Sequence, residues 1–187
     1  MKQKIRERTI ENITRVRNLI QIYERIKDDK NKYNTDILRA AVVLLHAALE
    51  DCLRSIAYVK LPIASPDELH KTQCKVPLGR IAEYRDKTVN ELIKDVMFEH
   101  LERATYNNSE DISRALKSLA ITIKKSDLSQ LDTAIQRRHR IVHRADRSDK
   151  EEELGQVTSI QALHLLKWVE DVECFVENVF DATEGTQ

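Results

Sequence analysis

Apolar residues recur at intervals of three and four along most of this chain, the period of helices with one buried face. Ile13, Val16, Ile20 and Tyr23 follow that spacing and predict a first long helix from near Lys2 to about Asp28. The stretch Lys27 to Asn34, KDDKNKYN, reads as a polar turn. A second long helix is predicted from an N-cap at Thr35 through about Val59, with a stripe of Ile37, Ala41, Leu44, Ala48, Leu49 and Cys52. Its AAVVLLHAAL segment is apolar almost all round, which places this helix at the centre of the core.

Three capping signals divide the remainder. Pro62 cannot continue a helix, and Ser65 to Glu68 combines an N-cap serine, a proline at the first helical position and a glutamate three residues on. Pro77 opens a short helix to about Tyr84. Thr88 to Glu91 is a second capping box, ahead of Leu92, Val96, Met97 and Leu101. A helix from about Glu110 carries Ile112, Leu116, Leu119 and Ile123. Ser126 is placed to cap the helix after it, and RSDKEEELGQ then reads as a charged loop. Thr158 to Gln161 is a third capping box, starting a last helix to about Phe180 with Leu166, Val169, Val172, Val176 and Val179 on one side.

Composition agrees. Only 3 Gly and 3 Pro occur in 187 residues and aromatics are 5%, too few turn and β-forming residues for a strand-rich domain. The expected fold is all-α: a helical bundle with two long core helices, shorter helices between, and a long C-terminal helix. One domain over 1–187 accounts for the length, with a core of about 35–182 and the helix in 1–34 packed on it. Net charge is zero, so any affinity for nucleic acid must come from a local cluster. Cys52, Cys74 and Cys174 lie far apart, which suits free thiols in a reducing compartment. The charged N-terminus shows no signal peptide, and no apolar run is long enough to span a membrane; a cytoplasmic location is expected.

One segment is chemically unusual. Ile135 to Arg147, IQRRHRIVHRADR, holds five arginines, two histidines and one aspartate. On an ideal helix Leu128, Leu131, Ile135, Val142 and Ala145 form one stripe, and Arg138 fills the gap in it. A guanidinium there needs an anionic partner or a wet cleft. Arg137, Arg140 and Arg144 point to the opposite side, toward solvent or an RNA backbone. Asp132, Gln136, His139, His143 and Asp146 share a flank, so His143 is expected to touch His139 and Asp146. A carboxylate beside an imidazole suits proton transfer. His46 and His164 read as core or boundary residues, and His70 and His100 have no companions. No cofactor is expected: three glycines cannot build a phosphate-binding loop, and the His139–His143 spacing lacks the glutamate of HExxH, so no metal is expected either.

RHRIVH, Arg138 to His143, resembles the R-polar-x-x-x-H signature of the HEPN superfamily. RRHRIVHRAD, together with DILRAAVVLLHAALEDCLRSIA (Asp36 to Ala57), is similar to the RiboL-PSP-HEPN group of prokaryotic HEPN proteins in particular. The resemblance implies a metal-independent endoribonuclease leaving 2′,3′-cyclic phosphate and 5′-hydroxyl ends, acting as a toxin or phage-defence effector. It implies a homodimer with two motifs facing one cleft, an RNA substrate, and an antitoxin or defence-system partner protein. Carried over, His143 transfers the proton, Arg138 anchors the phosphate, and His139 is the supporting polar residue. Glu50 and Asp51 are weaker candidates for facing the same cleft. HEPN toxins silenced by nucleotidyltransferase antitoxins carry a tyrosine two residues after the motif histidine; Ala145 stands there, which argues against that regulation. On a straight helix Arg138 and His143 lie about 140° apart. Either the helix breaks near the motif or the site is composite across a two-fold axis, which is favoured. The alternatives are a non-catalytic HEPN-like module that binds RNA or protein, and a purely structural bundle.

Overall fold

The computed structural model of the chain describes all residues except 30, 32, 73 and 185–187, with the side chains of residues 71 and 184 also outside the described set. Two positions of the expected polar turn, and the extreme C-terminus, therefore lie outside the described residues.

The described residues are helical and contain no strand, as the spacing predicts. The elements are α1 (Lys2–Ile26), α2 (Asp36–Lys60), α3 (Pro66–Lys71), α4 (Leu78–Ala82), α5 (Val89–Arg103), α6 (Ser109–Ser118), α7 (Lys125–Ser129), α8 (Asp132–Arg144) and α9 (Ala162–Glu184). One-turn 3₁₀ helices cover Leu61–Ile63 and Glu151–Glu153. α2 is the hub. α1 lies along it, and α5, α8 and α9 pack on its other sides, while α1 also meets α9. Leu38, Leu45, Leu49, Val16, Leu165, Val169 and Phe175 are sealed between them. Burying each such side chain contributes about 1.5–3 kcal/mol. Ion pairs from Arg17 to Glu173 (2.6 Å) and from Arg6 to Glu177 rivet α1 to α9.

Two of the three capping boxes form. The Ser65 hydroxyl accepts from the Glu68 N–H (3.4 Å) and the Thr88 hydroxyl from that of Glu91 (3.3 Å), with both glutamates reaching back to the cap. The third does not. Thr158 to Gln161 stays outside α9, and the Thr158 N–H is already given to the Asp146 carbonyl (2.8 Å). Thr35 sits at the N-cap of α2, but its hydroxyl accepts from Arg39 Nη1 (2.7 Å) instead of capping the helix.

Helix phase also departs from the expected stripes. In α2 Ala41, Ala48, Leu49 and Cys52 of the expected stripe are buried, but Leu38 and Leu45 are sealed with them and Leu44 is exposed. The helix expected from Ser126 through Ala145 is two helices, α7 and α8, separated at Gln130 and Leu131. Ser126 therefore lies inside α7 and caps nothing.

Candidate active site

α8 carries the arginine–histidine motif. Asp132 opens it and His143 and Arg144 close it, so its charges complement the helix dipole. The helix is unbroken from Asp132 to Arg144, which removes the first of the two ways to bring Arg138 and His143 together. His139 and His143 meet one turn apart, with ring centroids 4.5 Å apart and planes tilted by 46°, and both are exposed. Arg138 lies on the other side of α8, half-buried. Its Nη1 donates a long hydrogen bond to Asn107 Oδ1 (3.4 Å), and its Nε is buried without a partner.

The polar surroundings of Arg138 come from α2. His46 is 5% exposed and its Nε2 donates to Glu50 Oε1 (3.1 Å). Arg54 lies 3.5 Å from the other oxygen of Glu50. This hydrogen bond from His46 holds the Glu50 carboxyl below its ordinary value of 4.5, with the cationic fields of Arg54 and Arg138 adding to it. Arg54 in turn donates to the Ala104 carbonyl (2.8 Å) and lies over the ring of buried Tyr106 (5.8 Å), whose phenol burial pushes up to about 12. A ladder of His46, Glu50 and Arg54 on one face of α2 thus pins the loop that presents Asn107 to Arg138. Its i, i+4, i+8 spacing is visible in the sequence, but only Glu50 is named from it; His46, Arg54 and Asn107 are additions from the structure.

Because its folded pKa is depressed, Glu50 contributes stability that is complete above pH 4.5 and lost as pH falls through the lower folded value. Glu50→Gln is therefore expected to lower the urea midpoint at pH 7 and to flatten its decline below pH 4.5 relative to the parent, as a pH series of denaturation curves would read.

Three expected placements are corrected. Arg137, expected to face solvent, is 7% exposed. Its Nη2 donates to Asp146 Oδ2 (2.7 Å) and to the carbonyls of Thr158 (3.0 Å) and Ser159 (2.8 Å), so it is sealed inside the fold, out of reach of an RNA backbone. Asp146, expected beside His143, is fully buried and also accepts from Arg39 Nε (2.9 Å). It leaves the flank because the chain turns left-handed after α8: φ is 48° at Ala145 and 58° at Asp146. Val142, expected on the buried stripe, is 48% exposed, while Ile141 packs on the core. Asp51 faces α1, where Arg8 Nε lies 2.9 Å away. Arg140 and Arg144 are exposed as expected, with Arg144 paired to Asp149.

The cap after α8 holds the motif's end. The Ala145 and Asp146 N–H groups both donate to the Arg140 carbonyl. A left-handed alanine costs about 1–2 kcal/mol. Ala145→Gly is expected to raise stability by about 1 kcal/mol, read as an increased denaturant midpoint with unchanged slope. Behind the cap, residues 147–157 fold back on themselves through an Arg147–Val157 bridge, with Gly155 at φ 75° in the turn.

The model of the RiboL-PSP-HEPN family matches residues 10–185. The chain belongs to the RiboL-PSP-HEPN family. Membership extends the expected homology N-terminally, from about Thr35 back into α1, so α1 is part of the family domain. It brings an RNA-related role and dimerisation within the family's range. No curated protein and no solved structure matches the chain. Among the described residues no helix is long and apolar enough to cross a membrane.

Proposed function

We propose that this RiboL-PSP-HEPN protein is a metal-independent endoribonuclease whose site is completed by a second copy of the chain. One observation carries the reading. α8 leaves an exposed histidine pair and a sparsely bonded arginine on opposite sides of one continuous helix. Structural histidines and arginines are spent on internal partners, as Arg137 is; His139, His143 and Arg138 are held in reserve.

The chemistry follows from the groups. A neutral imidazole of His143 takes the proton of a ribose 2′-hydroxyl as its oxygen attacks phosphorus. The bond to the 5′-oxygen breaks, and the imidazolium formed on His143 returns its proton to that oxygen. The products are a 2′,3′-cyclic phosphate and a 5′-hydroxyl. Arg138 of the facing copy donates paired hydrogen bonds to the phosphorane oxygens, with no reorganisation as charge builds. His139, whose ring lies against that of His143, limits its rotation. Exposed Arg140 and Arg144 lie on the same helix end and draw the strand in. A toxin or phage-defence role, balanced by a partner protein, suits an RNA-cutting dimer of this family.

The test is cleavage of total tRNA and mRNA with EDTA present, wild type against His143→Ala. Loss of cleavage in the variant supports the proposal; equal cleavage by both overturns it. RNA binding without cleavage, surviving the substitution, would instead mark a binding module. The composite site has its own test. Arg138→Ala and His143→Ala subunits, each inactive alone, are unfolded and refolded together. Half of randomly reassorted dimers are mixed, and each mixed dimer restores one intact site of two, so about a quarter of wild-type activity should return. No recovery would place both residues in one protomer's site.

A further inference from the structure

A cleft of ≈ 620 Å³ lies between α1, α2 and α5. Its walls include two aromatic rings, Tyr58 and Phe98, which meet edge to face with centroids 5.9 Å apart. They are 48% and 50% exposed, an unusual amount of wet aromatic surface for adjacent residues in a cavity. Val59 and Leu101 add apolar lining.

The charges say what fits. Lys4, Arg8 and Arg54 are matched by Glu50, Asp51 and Glu102. Arg8 is committed to Asp51 and to the Ser55 hydroxyl, and Arg54 to Glu50 and the Ala104 carbonyl. Such a balanced cleft offers no net field to a phosphate. It suits a flat, uncharged group with apolar faces and a polar edge, the description of a nucleobase: faces on the rings, edge amines on the carboxylates. Stacking of this kind tolerates any base.

The cleft is also connected to the motif. Glu50, Arg54 and Tyr58 follow one another at i, i+4 and i+8, so the aromatic wall lies about 12 Å along α2 from Glu50. Arg54, on the cleft wall, donates to the Ala104 carbonyl in the same short loop whose Asn107 accepts from Arg138. We propose that the cleft holds an unpaired base of the strand whose phosphate sits at Arg138, which makes the protein selective for single-stranded RNA. This rests on the ribonuclease reading above.

The test uses full-length protein carrying His143→Ala, so that RNA is bound uncut, and a short fluorescent single-stranded RNA read by anisotropy. A second strand of the same length is abasic throughout. Adding Tyr58→Ala or Phe98→Ala should weaken binding of the normal strand by about five- to 150-fold, the equivalent of ~1–3 kcal/mol per stacked base. Tyr58→Phe should bind as the parent does, and the abasic strand should be indifferent to all three. Unchanged affinity in the alanine variants overturns the subsite, as does an equal loss with the abasic strand. A shift to monomer on sedimentation also overturns it and makes the cleft an interface between copies. Cleavage in EDTA by protein with His143 intact is measured in parallel. If it is absent, the ribonuclease reading fails; if it is present and base binding is unaltered, only the subsite fails.

Discussion

His143→Ala is expected to lower RNA cleavage in EDTA by about 10²–10⁴-fold, the usual contribution of one positioned acid–base group. Binding of RNA should survive, because the exposed cations of Arg140 and Arg144 are untouched. His139→Ala should cost much less, since His139 touches the reaction only through the neighbouring ring of His143. A pH–rate profile separates the two roles. Losing the acid–base group removes a limb of the profile, whereas losing the neighbour leaves its shape and lowers its height. In cells, induced expression should arrest growth and His143→Ala should relieve the arrest, which plating efficiency would show.

The largest effect on stability is expected at Asp146. Its carboxylate is fully buried between two guanidiniums, Arg39 of α2 and Arg137 of α8, which also donate to carbonyls in the segment leading to α9. One side chain thus ties together three elements at the end of the motif helix. Asp146→Ala leaves two buried cations without their anion and should cost about 3–5 kcal/mol. For a chain of this length that is a fall in melting temperature of roughly 6–20 °C. Asp146→Asn should fall between. It keeps the shape and tolerates the left-handed backbone, but it neutralises the clasp. A calorimetric melt of both variants checks the order. If Asp146→Ala melted with the parent, the clasp would contribute nothing. Catalysis should follow the fold: the motif histidines are carried by the helix end that this clasp anchors.

Much of the chain could be read before its folding was known. Helix positions follow from apolar spacing, and the caps at Ser65 and Thr88 are local, made by residues three apart that touch whatever the rest does. The cap at Thr158 fails because its donor is claimed by the carbonyl of Asp146, in the turn after α8. The same distinction explains the arginines. Arg137 and Arg138 differ by one residue and 100° of rotation. α8 has few large apolar residues to set its phase, and the stripe expected from spacing runs through exposed Val142 and across the break at Gln130 and Leu131. The face that packs on α2 is centred on Ala134, Ile135 and Ile141, which rotates Arg137 inward.

The sequence by itself determined the helical class, the family, the two histidines one turn apart, and the separation of Arg138 from His143 around the helix. These are properties of spacing, and a helix preserves spacing wherever it packs. Only the tertiary structure decided which arginine is sealed and which is half-exposed, that Asp146 serves the fold instead of His143, and that Arg54 pins the loop whose Asn107 accepts from the motif arginine. Those outcomes depend on partners far away in the chain, Arg39 with Asp146 and Asn107 with Arg138. A buried charge goes where a counter-charge waits, and no local pattern records that position.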